Sequence, residues 1–176
     1  MRVPLLIALF VVVVPGQAAE WGQFESDFDT DTKPWQELQA DLPAFPKPDG
    51  LMRIDVGPAS RNQHFIDFPS VSVGSDGVVR YSMLIRTQGG AENLSFEGMR
   101  CSSSERKIYA FGRTSGKEAG QWARNRHAAW APIKDRDAAG YHRELFASYF
   151  CAGGMGEPDL ERVRRLLRQG GYRAPD

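Results

Sequence analysis

The sequence predicts an α+β domain in which an antiparallel sheet of about five strands is packed by C-terminal helices and held by one disulfide. Three observations predict it. Short β-rich runs alternate with turn clusters between residues 51 and 113, helical patterns follow residue 137, and Cys101 and Cys151 lie in these two parts of the chain. At 176 residues the chain has the size of a single domain after a short leader.

Residues 1–18 are predicted to be a cleavable signal peptide. A basic start is followed by an apolar run from Val3 to Val14, which is too short for the roughly 20 residues that a membrane-spanning helix needs. Gly16 and Ala18 have the small-x-small spacing of a signal-peptidase site. No cysteine stands near Ala18 to carry a lipid, so we expect export without a membrane anchor.

Residues 19–50 are predicted to form an extended, acidic N-terminal arm that precedes a single α+β domain at residues 51–176. From Glu20 to Asp49 there are eight acids and two lysines without a helix or strand period, and Trp35 and Phe45 are the expected anchors. Residues 100–176 carry fifteen basic and nine acidic residues. We expect the arm to lie across this basic part, with binding of an external anion as the alternative.

The first turn cluster predicts a hairpin with a definite register. Residues 75–77, Ser-Asp-Gly, suit a three-residue loop with a left-handed glycine. Pairing around this loop places Val73 opposite Val79 and Val71 opposite Tyr81.

The second turn cluster, Gly89-Gly90, suits a two-residue loop. Pairing around it places Met83 opposite Phe96 and Tyr81 opposite Gly98. Because side chains alternate along a strand, both hairpins then send one apolar set inward. The predicted inward set is Val71, Val73, Val79, Tyr81, Met83, Ile85, Leu94 and Phe96.

The opposite face of this predicted sheet is polar and carries Arg80, Arg86 and Glu97. A solvated sheet face is the ordinary interpretation, and a ligand platform formed by these three side chains is the alternative. A further strand is predicted from Lys107 to Arg113.

Two helices are predicted after residue 137. Asp137 suits the cap of the first, which Gly153-Gly154 would end. Pro158 suits the first residue of the second, and Gly170-Gly171 would end it.

Cys101 and Cys151 are predicted to form a disulfide, because an exported protein meets no reductant pool. The bond would clamp the first helix to the sheet. Redox catalysis is the alternative, but the fifty-residue separation lacks the C-x-x-C spacing that depresses a thiol pKa.

No catalytic signature, metal motif or cofactor motif is present in the sequence. His64, His127 and His142 are too far apart to form a local metal motif, and there is no H-E-x-x-H, G-x-S-x-G or phosphate-binding loop. A triad assembled from distant residues remains open. Trp122 and Trp130 are expected to close a small core, with stacking on sugar rings or bases as the alternative.

Four segments together resemble a known family. They are Asp76-Gly77-Val78-Val79-Arg80-Tyr81, the run from Asn93 to Cys101, Trp122 with Trp130-Ala131-Pro132-Ile133, and Tyr149-Phe150-Cys151. The chain thus resembles the bacterial envelope proteins named after a cryptic neisserial protein. The resemblance implies a location in the Gram-negative periplasm and a domain of unassigned function. It lends no active-site residue, and the lipid anchor of some members is not expected without a cysteine near Ala18.

We therefore expect a non-catalytic binding or interaction module of the cell envelope, whose partner is an unidentified envelope protein or ligand. The alternatives are a small periplasmic hydrolase with a dispersed site and a structural envelope protein. Nucleic acid is not expected as a partner, because the formal net charge is +0 at pH 7 and acids offset the arginines of the last helix.

Overall fold

The structure, a computed structural model, describes residues 34–58, 60–134, 140–152 and 156–172. The predicted signal peptide and the arm up to residue 33 lie outside the described residues. So do the predicted helix cap Asp137 and the predicted helix stop Gly153-Gly154.

Within the described residues, seven strands form one antiparallel sheet. The sheet follows chain order from β1 to β6, and β7 pairs with β5. The number exceeds the expected five because two short strands follow residue 113, where the sequence turns polar. The bounds are β1 Leu51–Ile54, β2 Gln63–Val73, β3 Val78–Arg86, β4 Glu92–Arg100, β5 Glu105–Arg113, β6 Gln121–Arg124 and β7 Ala131–Pro132.

Two α-helices pack on one face of the sheet. The first, α1 at Tyr141–Glu144, continues as a π-helix over Leu145–Phe150. The second, α2, spans Leu160–Gln169. Pro158 is therefore not its first residue, because the carboxylate of Asp159 caps the helix by accepting the Arg162 N–H at 2.8 Å. Gly170 ends it with a φ of +77°.

The first hairpin has the predicted loop but only part of the predicted pairing. Gly77 is left-handed, with φ +72°, and Val73 pairs with Val79 as predicted. The expected pairing of Val71 with Tyr81 is wrong, because the register of β2 shifts between Asp67 and Ser72. This segment contains Pro69, which has no N–H to donate to a ladder. Val71 is nevertheless buried in the predicted core.

The second hairpin has a loop one residue longer than predicted. The Thr87 N–H donates to the Ala91 carbonyl at 2.9 Å, so residues 88–90 form the loop, and Gly90 is left-handed with φ +84°. Both hairpins thus use a three-residue loop that ends in a left-handed glycine. The register moves by one residue: Phe96 pairs with Ser82 instead of Met83.

This shift decides which side chains of β4 enter the helix-covered core. On β3 the predicted inward residues Val79, Tyr81 and Met83 do lie in that core. On β4 the predicted inward residues Leu94 and Phe96 lie on the opposite face, because side chains alternate along a strand. The core also includes Ile66, Met99, Leu145, Tyr149, Val163 and Leu167.

The described part of the N-terminal arm covers the other face of the sheet. Ala40 packs with Phe96, Tyr109 and Ala110 in a second apolar cluster. The expectation that this face is solvated is therefore wrong at its centre, and β3 is buried from Val78 to Leu84. We call the two sides of the sheet the helix face and the arm face.

The predicted disulfide is present. Cys101 follows β4 and Cys151 follows the π-helix; their Cα atoms are 5.4 Å apart and the bond spans 50 residues. Both cysteines are buried. The bond joins the sheet to the first helical segment, as the sequence predicts.

Candidate functional site

A group of aromatic and cationic side chains lies where the arm reaches β4, β5 and β7. The Trp35 and Trp130 rings meet edge to face, with centroids 5.8 Å apart. The Arg100 guanidinium lies 4.0 Å from the Trp35 centroid and 5.6 Å from that of Trp130. The Lys107 Nζ lies 5.8 Å from the Trp130 centroid. We call Trp35, Arg100, Lys107 and Trp130 the tryptophan–cation cluster.

The carboxylate of Glu37, on the arm, is bound beside this cluster by three donors. Its Oε2 accepts from Lys107 Nζ at 2.8 Å and from Trp130 Nε1 at 3.1 Å. Its Oε1 accepts from the Tyr109 hydroxyl at 2.8 Å. Burial alone would raise the pKa of Glu37, but these hydrogen bonds outweigh it and place the pKa below the usual value. Glu37 is therefore an anion whose charge is fully matched.

The arm main chain is held by Asp76 and Arg80. The Leu38 N–H donates to Asp76 Oδ2 at 2.9 Å, and the Leu38 carbonyl accepts from Arg80 Nη2 at 3.0 Å. Trp35 Nε1 donates to the Asp76 carbonyl at 2.8 Å. Burial would raise the pKa of Asp76, but the Arg80 guanidinium and the Leu38 N–H hold it below its usual range.

Arg80 is thus a clamp on the arm. It is 7 % exposed, and its two terminal nitrogens also donate to Asp76 at 3.1 and 2.6 Å. With the arm in place, both terminal nitrogens of its guanidinium are hydrogen-bonded to Asp76 or Leu38.

Arg86 and Trp122 have separate surroundings on the arm face. Arg86 forms an ion pair with Glu92 at 2.7 Å and lies over the Phe65 ring. Trp122 donates to the Pro43 carbonyl at 3.0 Å and packs against Phe45 and Phe96. Of the aromatic residues singled out in the sequence, Trp35 and Trp130 belong to the tryptophan–cation cluster, whereas Trp122 lies outside it.

Glu97 does not lie on the same face as Arg80 and Arg86. The one-residue shift of β4 turns its side chain to the helix face, where it is completely buried. The ligand platform proposed from the sequence therefore does not form from these three side chains.

Glu97 instead organises a buried polar cluster between sheet and helix. Its Oε1 accepts from the Ser95 hydroxyl at 2.5 Å and from the Tyr141 hydroxyl at 2.8 Å. Its Oε2 accepts from the Tyr81 hydroxyl at 2.8 Å and lies 2.9 Å from His142 Nε2. We call these five residues the Glu97 cluster. Three of its members come from strands and two from α1, so the cluster joins the layers.

The ionised form of Glu97 is stabilised by this geometry. Burial would raise its pKa, but the His142 ring, Ser95 and Tyr81 lower it below the usual value. Burial, together with the neighbouring carboxylate, raises the pKa of Tyr81 and of Tyr141. Both phenols therefore remain protonated donors to one acceptor.

We expect the Glu97 cluster to make stability fall in acid. Because the pKa of Glu97 is lower in the folded protein than the ordinary glutamate value of 4.5, the unfolded chain binds the proton first as the pH falls through that value. Its contribution is thus present at neutral pH and is lost on acidification. Urea unfolding midpoints between about pH 3 and 6 should decline less steeply in Glu97→Gln than in the unaltered chain, and equal slopes would contradict this expectation.

Among the described residues, the cavities are shallow and lie at the edges of the sheet. One cavity, of about 680 Å³, lies at the β5–β6 connection and is lined by Phe111 and Lys117. A second, about 480 Å³, lies beside β1 and is lined by Asp55, Ser60 and His64. Asp55 Oδ1 accepts from the Gly57 N–H at 2.9 Å, and Ser60 Oγ accepts from the Asn62 N–H at 3.3 Å. Both side chains thus support local turns.

Sequence reasoning missed Glu37, Arg100 and Lys107 as partners of Trp130. The sequence offered one signal: the acid Glu37 lies two residues after Trp35, the predicted anchor, in an otherwise irregular arm. Their distant partners could not be assigned from spacing. Histidines 64 and 142 were named only as isolated residues, although both contact the Tyr141 ring.

The described ranges contain neither a metal-ligand group nor a membrane-spanning helix. No group of three or more His, Cys, Asp or Glu side chains there could hold a metal ion. No helix there is long and apolar enough to cross a membrane.

Comparison with known proteins identifies relatives. Cryptic neisserial protein 1 of Neisseria gonorrhoeae (strain ATCC 700825 / FA 1090) is 27% identical in an alignment 202 residues long. The alignment covers 99% of this chain and 97% of that protein. No solved structure matches significantly. The model of the CNP1-like family matches residues 30–168. The chain therefore belongs to the CNP1-like family.

Proposed function

We propose that the chain is exported to the periplasm and acts there as a binding module, with the tryptophan–cation cluster as its contact surface. The predicted signal peptide and the disulfide support export, because disulfides persist outside the reducing cytoplasm. Membership of the family supports a role in the cell envelope.

One observation carries the choice of surface: Arg100 is held against two tryptophan rings at the edge of the protein. Trp35 is 41% exposed, and Arg100 is fixed by Ser103 and Glu105. Tryptophan and arginine are enriched among the residues that dominate binding energy. Because their side chains are already ordered, a partner would lose little conformational entropy by docking on them.

The charges of the cluster also favour specific contact over general attraction. Lys107 is paired with Glu37 at 2.8 Å, and Arg100 is paired with Glu105. With both cations matched, the surface offers aromatic faces instead of a strong net field. A polar partner with a flat or extended contact surface fits this arrangement.

We expect cross-linking from this surface to trap a partner. A photo-reactive amino acid placed at Trp35 in the exported chain should give an adduct of defined mass in living cells. The same amino acid at Tyr172, which is 48% exposed, is the control and should not give it. Arg100→Ala should reduce the adduct about tenfold, since hot-spot truncations cost more than 1 kcal/mol.

Arg86→Ala is the matched control for Arg100→Ala, because Arg86 is also an ion-paired arginine of the sheet but lies outside the cluster. It should leave the adduct unchanged. Identical adducts from positions 35 and 172, or none from position 35, would refute the proposed surface.

The cavity beside β1 supports hydrolysis as a second candidate function. His64 lines it together with Asp55 and Ser60, and burial lowers the pKa of His64, so the ring is neutral at neutral pH as a general base requires. Turnover of model ester, amide or glycan substrates that His64→Ala abolishes would favour this candidate. His127→Ala is its control, because His127 is exposed and does not line this cavity.

A further inference from the structure

We propose that residues 35–38 occupy a peptide-recognition site, which selects an extended segment with an aromatic side chain two residues before a carboxylate. The arm fills this site as an internal competitor, and a partner protein with the same pattern replaces it. This inference rests on the proposed binding function and names the chemistry of its partner, which contacts Arg100, Lys107 and Trp130 of the cluster and takes the place of Trp35.

The two selected side chains are Trp35 and Glu37. The Trp35 ring meets the Trp130 ring edge to face. The Glu37 carboxylate accepts a hydrogen bond from the Trp130 Nε1–H. Arg100 covers the Trp35 ring, while Lys107 and Tyr109 complete the donors to Glu37. A single group of side chains therefore binds both the aromatic ring and the carboxylate, and it fixes the spacing between them along the peptide.

The main chain of the segment is held independently of its side chains. Both peptide groups of Leu38, its N–H and its carbonyl, are bonded by Asp76 and Arg80. The Leu38 side chain itself is 46% exposed, and Gln36 and Gln39 are exposed. A foreign peptide could thus satisfy the same contacts with other residues at these three positions.

The part of the arm in the site can leave without the remainder. Residues 34–39 belong to no helix or strand and are mostly exposed. The arm is anchored farther along the chain, where Ala40 is buried and the Pro43 carbonyl accepts from Trp122. Detachment of residues 34–39 would uncover donors on Lys107, Tyr109, Trp130 and Arg80.

A neighbouring cavity leaves room for additional contacts of a partner. It has a volume of about 280 Å³ and is lined by Glu37, Lys107, Tyr109, Arg124 and Asn125. A longer peptide could therefore extend from the carboxylate position towards Arg124.

The test uses the complete exported chain and a fluorescent peptide with the sequence of residues 34–41. Trp35→Ala combined with Glu37→Ala removes the two selected side chains from the site and so weakens the internal competitor; we call this double variant the emptied variant, and fluorescence anisotropy measures peptide binding. The emptied variant should bind about tenfold more tightly than the unaltered chain, because a tethered segment competes at an effective concentration on the order of mM. Adding Lys107→Ala should abolish that gain, and adding Arg86→Ala should not.

A second peptide carrying the Glu37→Lys change should bind the emptied variant at least about tenfold more weakly, as expected when a carboxylate loses its charged partner. Equal binding of both peptides, or no gain on emptying the site, would overturn the inference. If the double variant lacks a cooperative unfolding transition, Glu37→Gln alone replaces it. A cross-link from position 35 without peptide binding would refute the peptide site but leave the proposed binding function standing. Peptide binding without a cross-link in cells would support the peptide site and refute only the cluster with Trp35 in place as the contact surface.

Discussion

Replacing Glu97 with alanine should lower the free energy of unfolding by about 3–5 kcal/mol, the upper range for single substitutions, because it breaks a buried hydrogen-bond network. The change removes the common acceptor of Tyr81, Ser95 and Tyr141 and of the His142 ring. Each buried donor left without a partner is costly, and the vacated volume adds a cavity term. Urea unfolding at neutral pH measures the loss.

Glu92→Ala is the control for this change, because Glu92 is a carboxylate of the same strand that is paired with Arg86 near the surface. A partly exposed ion pair contributes about 0–1 kcal/mol, so the control should remain close to the unaltered chain. A loss for Glu97→Ala no larger than that of the control would show that the cluster does not stabilise the joint between sheet and helix.

Removing the disulfide should have an effect of similar size. Replacing both Cys101 and Cys151 with alanine should cost about 4 kcal/mol in the chain-entropy model, because the bond closes a loop across a sequence separation of 50 residues. The two sulfur atoms are buried, so some packing is also lost. Thermal and urea unfolding under non-reducing conditions measure the difference.

The control is the unaltered chain after full reduction in urea and refolding with reductant present. It should match the alanine double variant within about 1 kcal/mol, since both lack the loop constraint while differing only in small side-chain volumes. A reduced chain as stable as the oxidised one would mean that the helix stays on the sheet without the covalent bond.

The fold class could be predicted, but the face of one strand could not. Alternation assigns the faces of a strand only when one face is polar, and β3 is buried on both. The choice between two and three residues for the second loop therefore depended on Gly89-Gly90 alone. The extra loop residue shifts the register of β4 by one position, and this shift turns the Glu97 side chain from the expected polar face towards the core.

The arm could be anticipated from its composition, whereas its contacts could not. Trp35 stood out as an anchor because it is a large aromatic in an acidic, irregular segment. Its partners Arg100 and Trp130 come from distant parts of the chain, and a side-chain contact of this kind has no local spacing rule. The Cys101–Cys151 bond was predictable because only two cysteines exist.

The arm imposes an order on folding. Glu37 is synthesised before its partners Lys107 and Trp130, from which it is separated by 70 and 93 residues. Contacts of such sequence separation form slowly, because the intervening chain must first be ordered. The strands must therefore assemble before a docking surface exists, so we expect the segment around Glu37, although synthesised before them, to dock after them.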